Sequence, residues 1–527
     1  MKVLFIAISS IHEHEDSEFL GYEILLSCLQ NHMVEAEIFH IEYKSTQEDM
    51  TKYLEGIDFS TIAIVGINCM YTTLKIAESI FQYVKKMNQR IHTTIGGALP
   101  SIAAEEVLEV IPDADSIIIG EGEKTICDLY DGVISGNDLS KCKGIAYRDN
   151  EKIHFTLVRE LIQDLDCIPY AERVMLKKNK YQFARIQSSR GCEGHCSFCA
   201  ESRFLKDNTN IHWRGRSPAN IVAEMEEIKR KYAVDTFIFC DSSFEDPLRE
   251  GKQRMLEICK EIKKRNLNIH FRVLFRSESV AKMEDYLLEE LKESGLFHVF
   301  LGIESGYAPA LKVFHKRATV EENAIAIEKI RKHNLNFTTG FIMFHPYTSM
   351  EEILENEKFI IDNQLYFSTY SFISKMAIHK GTYILERAKA DGLITEEYSI
   401  FNPYGYVFKN DEIVDIFEQL QDCFAVLKQN KSKELVSLLT YLEDDVRKKE
   451  KEHGLDDIKE LYYSTIRNIR EDIGQKQLRL FQFIIHREGS KVESRVLVDE
   501  LCKIIENNRR ELNRLHKKWM RQKYRME

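Results

Sequence analysis

At 527 residues the chain is too long for one compact core, so two or three domains are expected. With 44% hydrophobic and 30% charged residues it reads as a soluble globular protein, and a net charge of −11 does not favour non-specific nucleic-acid binding. No apolar run is long enough to span a bilayer, and the apolar stretch 3–8 runs straight into His12-Glu13-His14-Glu15-Asp16 without a cleavage-type segment, so neither a membrane anchor nor a signal peptide is expected.

Residues 1–140 alternate between strand and helix patterns. Strands are expected at 3–9, 36–43, 61–69, 93–97 and 116–120, with helices at 20–31, 74–87 and 102–110 and another after Gly120-Glu121-Gly122-Glu123. Apolar strands alternating with helices argue an α/β domain with a parallel sheet covered on both faces. Ligands of such sheets bind at the carboxyl ends of the strands, where the glycine turns fall. The first strand is followed by Ser9-Ser10-Ile11 rather than G-x-G-x-x-G, which argues against a nicotinamide or flavin domain. His12 and His14 lie where they could reach the sheet's carboxyl edge, or could simply be part of a solvated loop. Residues 141–182 read as a connector: a polar hairpin around Asp149-Asn150, then a linker with Asp164, Asp166 and Pro169, then a solvated turn of lysines at 177–180.

A strand at 183–188 leads into Gly191-Cys192-Glu193-Gly194-His195-Cys196-Ser197-Phe198-Cys199, with thiols at spacing C-x3-C-x2-C. Small residues let this loop curl so that three sulfurs face one centre, and three thiolates can fill three corners of an iron–sulfur cube. The same thiols could bind zinc with His195 as fourth ligand, or be unconnected. Structural zinc more often uses paired C-x2-C knuckles, and no second knuckle exists. The other nine of the twelve cysteines are scattered, mostly in apolar runs, as in a reducing cytoplasm.

From 183 to 390 helix–strand units repeat, with strands expected at 183–188, 236–240, 269–275, 297–303, 337–344 and 368–374. Six units suggest a partial TIM-like barrel, functional at the carboxyl ends of its strands. Polar residues gather there: Asp241-Ser242-Ser243, Arg276-Ser277, Glu304-Ser305 and His345-Pro346-Tyr347. Glu304 or Asp241 could hold an ammonium or ribose hydroxyls and Arg276 a carboxylate, although each could equally be a rim salt bridge. Cys240 could give a hydrogen atom to a substrate radical or could be core; His345 and Tyr347 are open in the same way. Residues 391–527 read as helices at 413–427, 434–450, 455–472 and 496–524. The basic stretch 509–525, interleaved with Leu512, Leu515 and Trp519, is either a surface for an acidic, peptide or phosphate-bearing ligand or a solvated face over a packed tryptophan.

The cysteine loop resembles the cluster motif of the radical S-adenosylmethionine (SAM) superfamily, in spacing and in the aromatic Phe198 before the last cysteine. The resemblance implies a [4Fe-4S] cluster on Cys192, Cys196 and Cys199, with an open iron that binds SAM; one electron then cleaves SAM to methionine and a 5′-deoxyadenosyl radical. The stretch Gly302-Ile303-Glu304-Ser305-Gly306, with Lys312 beyond it, resembles that superfamily's fourth-strand SAM-contacting segment, and Trp213-Arg214-Gly215-Arg216-Ser217 resembles a segment of its cobalamin-associated branch. SAM contacts are thereby expected at Phe198, Asp241, Ser243, Arg276, Glu304 and Ser305.

The stretches 66–72 (including Tyr71), 95–101 and 120–125 resemble the cobalamin-binding domain that precedes many radical SAM barrels. By that resemblance Tyr71, Gly96, Gly97, Gly120 and Gly122 border the corrin and its nucleotide tail. The D-x-H-x-x-G motif is absent, so no histidine of that motif ligates cobalt. The resemblance as a whole implies an N-terminal Rossmann-like cobalamin-binding domain (1–140), a connector (141–182), a partial (β/α)6 barrel (183–390) and a helical C-terminal domain (391–527). The expected activity is methylation of an unactivated carbon of a peptide or natural-product substrate. The alternative is a peptide epimerase, cyclase or rearrangement enzyme. Cys240 and Tyr347 are the catalytic candidates, and the expected partner is an electron donor such as flavodoxin or ferredoxin.

Overall fold

The computed structural model describes residues 1–10, 18–44, 49–150, 152–178, 183–201, 213–245, 247, 251–395, 399–429 and 456–526, with scattered positions between 435 and 446. His12 and His14 lie outside the described residues. The chain divides into two compact units. One comprises 1–269 with 378–387 and 395–405; the other comprises 270–377 with 388–394 and 406–527.

The first unit opens with a parallel sheet. Its strands are β1 (Lys2–Ser10), β2 (Ala36–Tyr43), β3 (Ile62–Asn68), β4 (His92–Gly96) and β5 (Ser116–Ile118), in the order β2-β1-β3-β4-β5. Strands β1 and β3 are apolar over nearly every residue because helices cover both faces. Val3, Phe5 and Ala7 of β1 pack with the helices Leu20–Asn31 and Gly122–Ser135; Leu4, Ile6 and Ile8 pack on the other face with Leu74–Met87 and Ala104–Val110. The alternation of side chains along a strand makes this division. The chain leaves β1 for β2 on one side and returns to β3 on the other, so the two connections diverge and leave a crevice above the carboxyl ends of β1 and β3.

The expected polar hairpin forms, but it is part of this sheet. Strands β6 (Ile145–Asp149) and β7 (Lys152–Phe155) add antiparallel to β5, making seven strands. Beyond it, β8 (Ala184–Ile186) pairs in parallel with β11 (Thr236–Phe239), while β9 (Ser189–Gly191) and β10 (Trp213–Gly215) form a separate antiparallel ribbon. The helix Pro218–Tyr232, between β10 and β11, starts where its sequence says it should: Ser217 accepts from Asn220 N–H and Pro218 occupies the first turn.

In the second unit β12 (His270–Arg276), β13 (Leu296–Glu304) and β14 (Asn336–Phe341) pair in parallel, alternating with helices such as Val320–Lys332 and Met350–Asp362. The parallel strands and intervening helices of the region after the first sheet are those of a partial barrel. One expected strand is wrong. A strand is expected over residues 368–374, yet Tyr370–Ile373 is a helical turn, and Ser371, Phe372 and Ile373 are buried in succession. Phe372 packs on Phe424 and Phe481, and that tertiary contact holds the turn; a single bridge between Phe344 and Lys375 stands in for the ladder. The tail is helical at Glu412–Gln429, Asp456–Ile485 and Lys491–Met526, and the expected helix over 434–450 falls largely outside the described residues. Trp519 is buried, donates to Asp445 at 2.5 Å and packs on Tyr462, while Arg514, Lys517, Lys518 and Arg521 are exposed: a solvated face over a packed tryptophan.

Candidate active site

The crevice of the first sheet opens into a cavity of about 360 Å³. One wall is the sheet edge: Gly66, Asn68, Gly96, Gly97, Gly120 and Gly122. The facing wall is the ribbon and the end of β11, with Ser189, Gly191, Glu201, Cys240 and Ser242. Two of the glycines are obligatory. Gly97 has φ +112°, and a Cβ there would sit 2.2 Å from Asn68 Oδ1; Gly120 has φ +77°. At Gly96 and Gly120 a Cβ would meet nothing within 4 Å, so at these two positions the edge opens onto empty space. A broad planar ligand such as a corrin needs such close backbone approach, and the residues present fit it. Tyr22, which sequence reasoning passed over, props the edge open. Its hydroxyl donates to Ile6 C=O at 3.0 Å and accepts from Asn68 N–H at 2.5 Å, and burial raises its pKa.

The cysteine loop begins at the end of β9. Gly191 turns the chain at φ +85°, Cys199 N–H donates to Cys196 C=O at 3.1 Å, and Ile384 N–H donates to Ser197 C=O at 2.9 Å. Gly194 N–H lies 3.2 Å from Cys192 Sγ, and a Cβ on Gly194 would sit 3.2 Å from that sulfur and 3.8 Å from Cys196 Sγ. The loop therefore curls around Gly194, with two sulfurs against its bare face. Cys192, Cys196 and Cys199 are all half-buried, whereas Cys69, Cys142, Cys259 and Cys423 are buried. Among the described residues no group of three His, Cys, Asp or Glu side chains is gathered closely enough for a single metal ion. A cube of four irons holds its thiolates farther apart than one ion does, and three reachable thiols on one small loop fit such a cube. His195 is exposed and Phe198 half-buried.

Several expected ligand residues already have protein partners. Asp241 is buried, and its carboxylate accepts from Ser188 N–H at 2.7 Å, Ser189 N–H at 2.9 Å and the Ser188 hydroxyl. It clamps the turn from β8 into the ribbon rather than facing the cavity. Ser243 is buried beneath it, with its C=O accepting from the Ser189 hydroxyl at 3.3 Å. Tyr71 stacks on His379 at 5.4 Å. Cys240 lines the cavity with its sulfur 3.8 Å from Arg185 Nη1; the walls desolvate the thiol and push its pKa up, against the pull of Arg185. Of the Trp213–Ser217 segment, Arg214 and Arg216 are braces: Arg214 donates to Ile162 C=O at 2.6 Å, and Arg216 pairs with Glu224 at 2.6 Å.

In the second unit Glu304 ends β13 in the left-handed region, at φ +67°. A carboxylate residue in that conformation is strained by about 1 kcal/mol. Glycines surround it: a Cβ at Gly302 or Gly340 would come within 3.3 or 3.2 Å of its carboxylate oxygens. Lys316 stands 3.7 Å from its carboxylate. Arg276, at the end of β12, stands 3.6 Å from Glu278. Ser305 is a turn residue, donating to Asn356 Oδ1 at 2.9 Å and accepting from Tyr307 N–H at 3.1 Å. Tyr347 donates to Asp391 at 2.8 Å. His345 is core: it is buried, pairs with Glu352 at 3.0 Å and meets the edge of Phe314.

Two family models match the chain, the B12 binding domain over residues 14–130 and the radical SAM superfamily over residues 186–360. An uncharacterized methyltransferase of Pyrococcus horikoshii is 27% identical over 66% of this chain and 73% of its own length. The anaerobic magnesium-protoporphyrin IX monomethyl ester cyclase of Rubrivivax gelatinosus is 29% identical over 57% of this chain, which spans about half (54%) of that relative. Among solved structures, the cobalamin-dependent SAM radical enzyme OxsB with aqua-cobalamin bound shares the fold at a TM-score of 0.72 and 18% identity, over 99% of this chain and 80% of that one. The radical SAM methyltransferase TsrM of Kitasatospora setae does so at 0.57 and 15%, over 69% and 73%. The two domains imply the cofactors, cobalamin for the first and a [4Fe-4S] cluster with SAM for the second. The chain therefore carries a B12-binding domain followed by a radical SAM domain, and the three-thiol loop lies within the second.

Proposed function

We propose that this protein methylates an unactivated carbon of a peptide or natural-product substrate, replacing a C–H bond by C–CH3, with an external electron donor of the flavodoxin or ferredoxin class in a reducing cytoplasm. The observation that carries this reading is the single cavity bounded by the glycine edge of one domain and by the base of the cysteine loop of the next. When bound, the cluster and SAM supply one-electron bond cleavage, and cobalamin supplies a methyl carrier. Cys192, Cys196 and Cys199 hold the cluster, with Phe198 covering it. Gly96, Gly97, Gly120, Gly122 and Tyr71 border the corrin. Arg276 and Glu304 are suited to the carboxylate and the ammonium of SAM; the strained backbone and glycine surround of Glu304 leave its carboxylate room for such a partner. Cys240, on the cavity wall, is a candidate for touching substrate, and Tyr347 is a second candidate for a catalytic role.

The test is anaerobic reconstitution with iron, sulfide, hydroxocobalamin, SAM and a low-potential reductant. Release of S-adenosylhomocysteine is expected only when cobalamin is present. Cleavage to 5′-deoxyadenosine with no S-adenosylhomocysteine under any condition would sink methyl transfer. Alanine at Cys192, Cys196 and Cys199 together should leave the protein without iron and without either product.

A further inference from the structure

Two arginines face each other across the β9–β10 ribbon: Arg190 and Arg214 are register partners. Both side chains are largely buried, at 10% and 5% exposure. Paired like charges in such surroundings need counter-ions. Both counter-ions come from one short turn after β5. Glu121 accepts from Arg190 Nη1 at 2.9 Å and lies 2.9 Å from Arg214 Nη2, while Glu123 pairs with Arg190 Nη2. The group is further tied down: Arg190 Nε donates to Gln187 at 2.8 Å, and Ile162 N–H donates to Glu121 at 2.7 Å. This is the turn whose Gly120 and Gly122 line the cavity, and Arg190 stands two residues before Cys192.

Resting on the functional reading above, we propose that Arg190, Arg214, Glu121 and Glu123 are positioning residues. They form a clasp that fixes the cysteine loop against the cobalamin edge, and so sets the separation and orientation of the two cofactors. Buried ion pairs add little net stability, and in some proteins they serve to hold one geometry against others. Guanidinium forks on paired carboxylates are well suited to that task. A clasp between the cavity's own turn and the strand entering Cys192 acts where the geometry matters, because a misplacement of about 1 Å can cost about a hundredfold in rate.

The experiment compares the native chain with Glu123→Gln, Arg190→Gln and Arg190→Lys. Each is reconstituted with iron, sulfide and hydroxocobalamin, then reduced, and read by electron paramagnetic resonance. The reduced cluster and divalent cobalt are both paramagnetic, and their magnetic coupling falls steeply with distance. The native chain is expected to show a split or broadened signal. Glu123→Gln and Arg190→Gln should lose that splitting at unchanged iron and cobalt content, with partial return in Arg190→Lys, which keeps the charge. Identical splitting in all four proteins overturns the clasp. Should Arg190→Gln take up no iron, Glu123→Gln, which leaves β9 untouched, decides by the same criterion. A native chain that takes up no cobalamin defeats the functional reading and the clasp with it. That result is distinct from failure of the clasp alone, in which native coupling is seen and every variant shares it.

Discussion

Two buried carboxylates flank the ribbon that carries the cysteine loop, and they are neutralised in opposite ways. Asp241 beyond β11 is held chiefly by neutral donors: two backbone N–H groups and a serine hydroxyl. Glu121 beyond β5 is held by two guanidinium groups and one N–H. Burial pushes the Asp241 carboxyl above the usual range, and its hydrogen bonds and Arg254 only partly oppose this. Burial pushes Glu121 up as well, but Arg214, Arg190 and the Ile162 N–H outweigh it and leave its pKa below the usual range. Position at a strand end therefore does not by itself make a carboxylate a ligand group; what already surrounds it decides. The pH response differs in sign. A carboxyl whose folded pKa is lowered gives stability above its ordinary value near 4.3, lost as pH falls through the folded value; one that is raised gives stability at low pH, lost as pH rises.

The largest expected effect is at Asp241. Asp241→Ala strips the partner from the Ser188 and Ser189 N–H groups and should cost on the order of 3 kcal/mol in chemical denaturation. A loss below about 1 kcal/mol would mean that the turn is held by something else. Glu121→Gln should cost about 2 kcal/mol at pH 7, since hydrogen bonds to charged groups are worth about that much. Its deficit should shrink as pH falls through Glu121's lowered folded pKa, because the native carboxyl is then protonated too; a deficit independent of pH would contradict the assignment of sign. The smallest stability effect is at Glu304. Glu304→Gly releases a left-handed strain of about 1 kcal/mol, which offsets the loss of its 3.7 Å approach to Lys316. The melting temperature should hold while SAM affinity, measured by equilibrium dialysis, falls. Unchanged affinity would remove Glu304 from the SAM site.

Local chemistry made much of this legible. The C-x3-C-x2-C spacing, the glycine turns at Gly96-Gly97 and Gly120, and the alternation of apolar strand with helix are each visible within a few residues. The turn-clamping hydrogen bonds of Asp241 and Ser305 were not legible, because a polar residue at a strand end reads alike whether it faces ligand or clamps a turn. Arg190, Glu121 and Glu123 carried no local signal, since their partners lie about seventy positions apart in the chain.

The sequence by itself determined the cluster loop, the parallel sheet with its glycine edge and the helical tail, because spacing, periodicity and left-handed glycine positions are properties of short segments. Only the tertiary structure decided which strand-end groups are already spent on neighbours, that residues 370–373 coil instead of extending, and that two arginines of the ribbon share the carboxylates of the cavity's own turn. Those outcomes depend on burial and on partners distant in sequence, and a buried polar group takes whichever partner the fold brings to it.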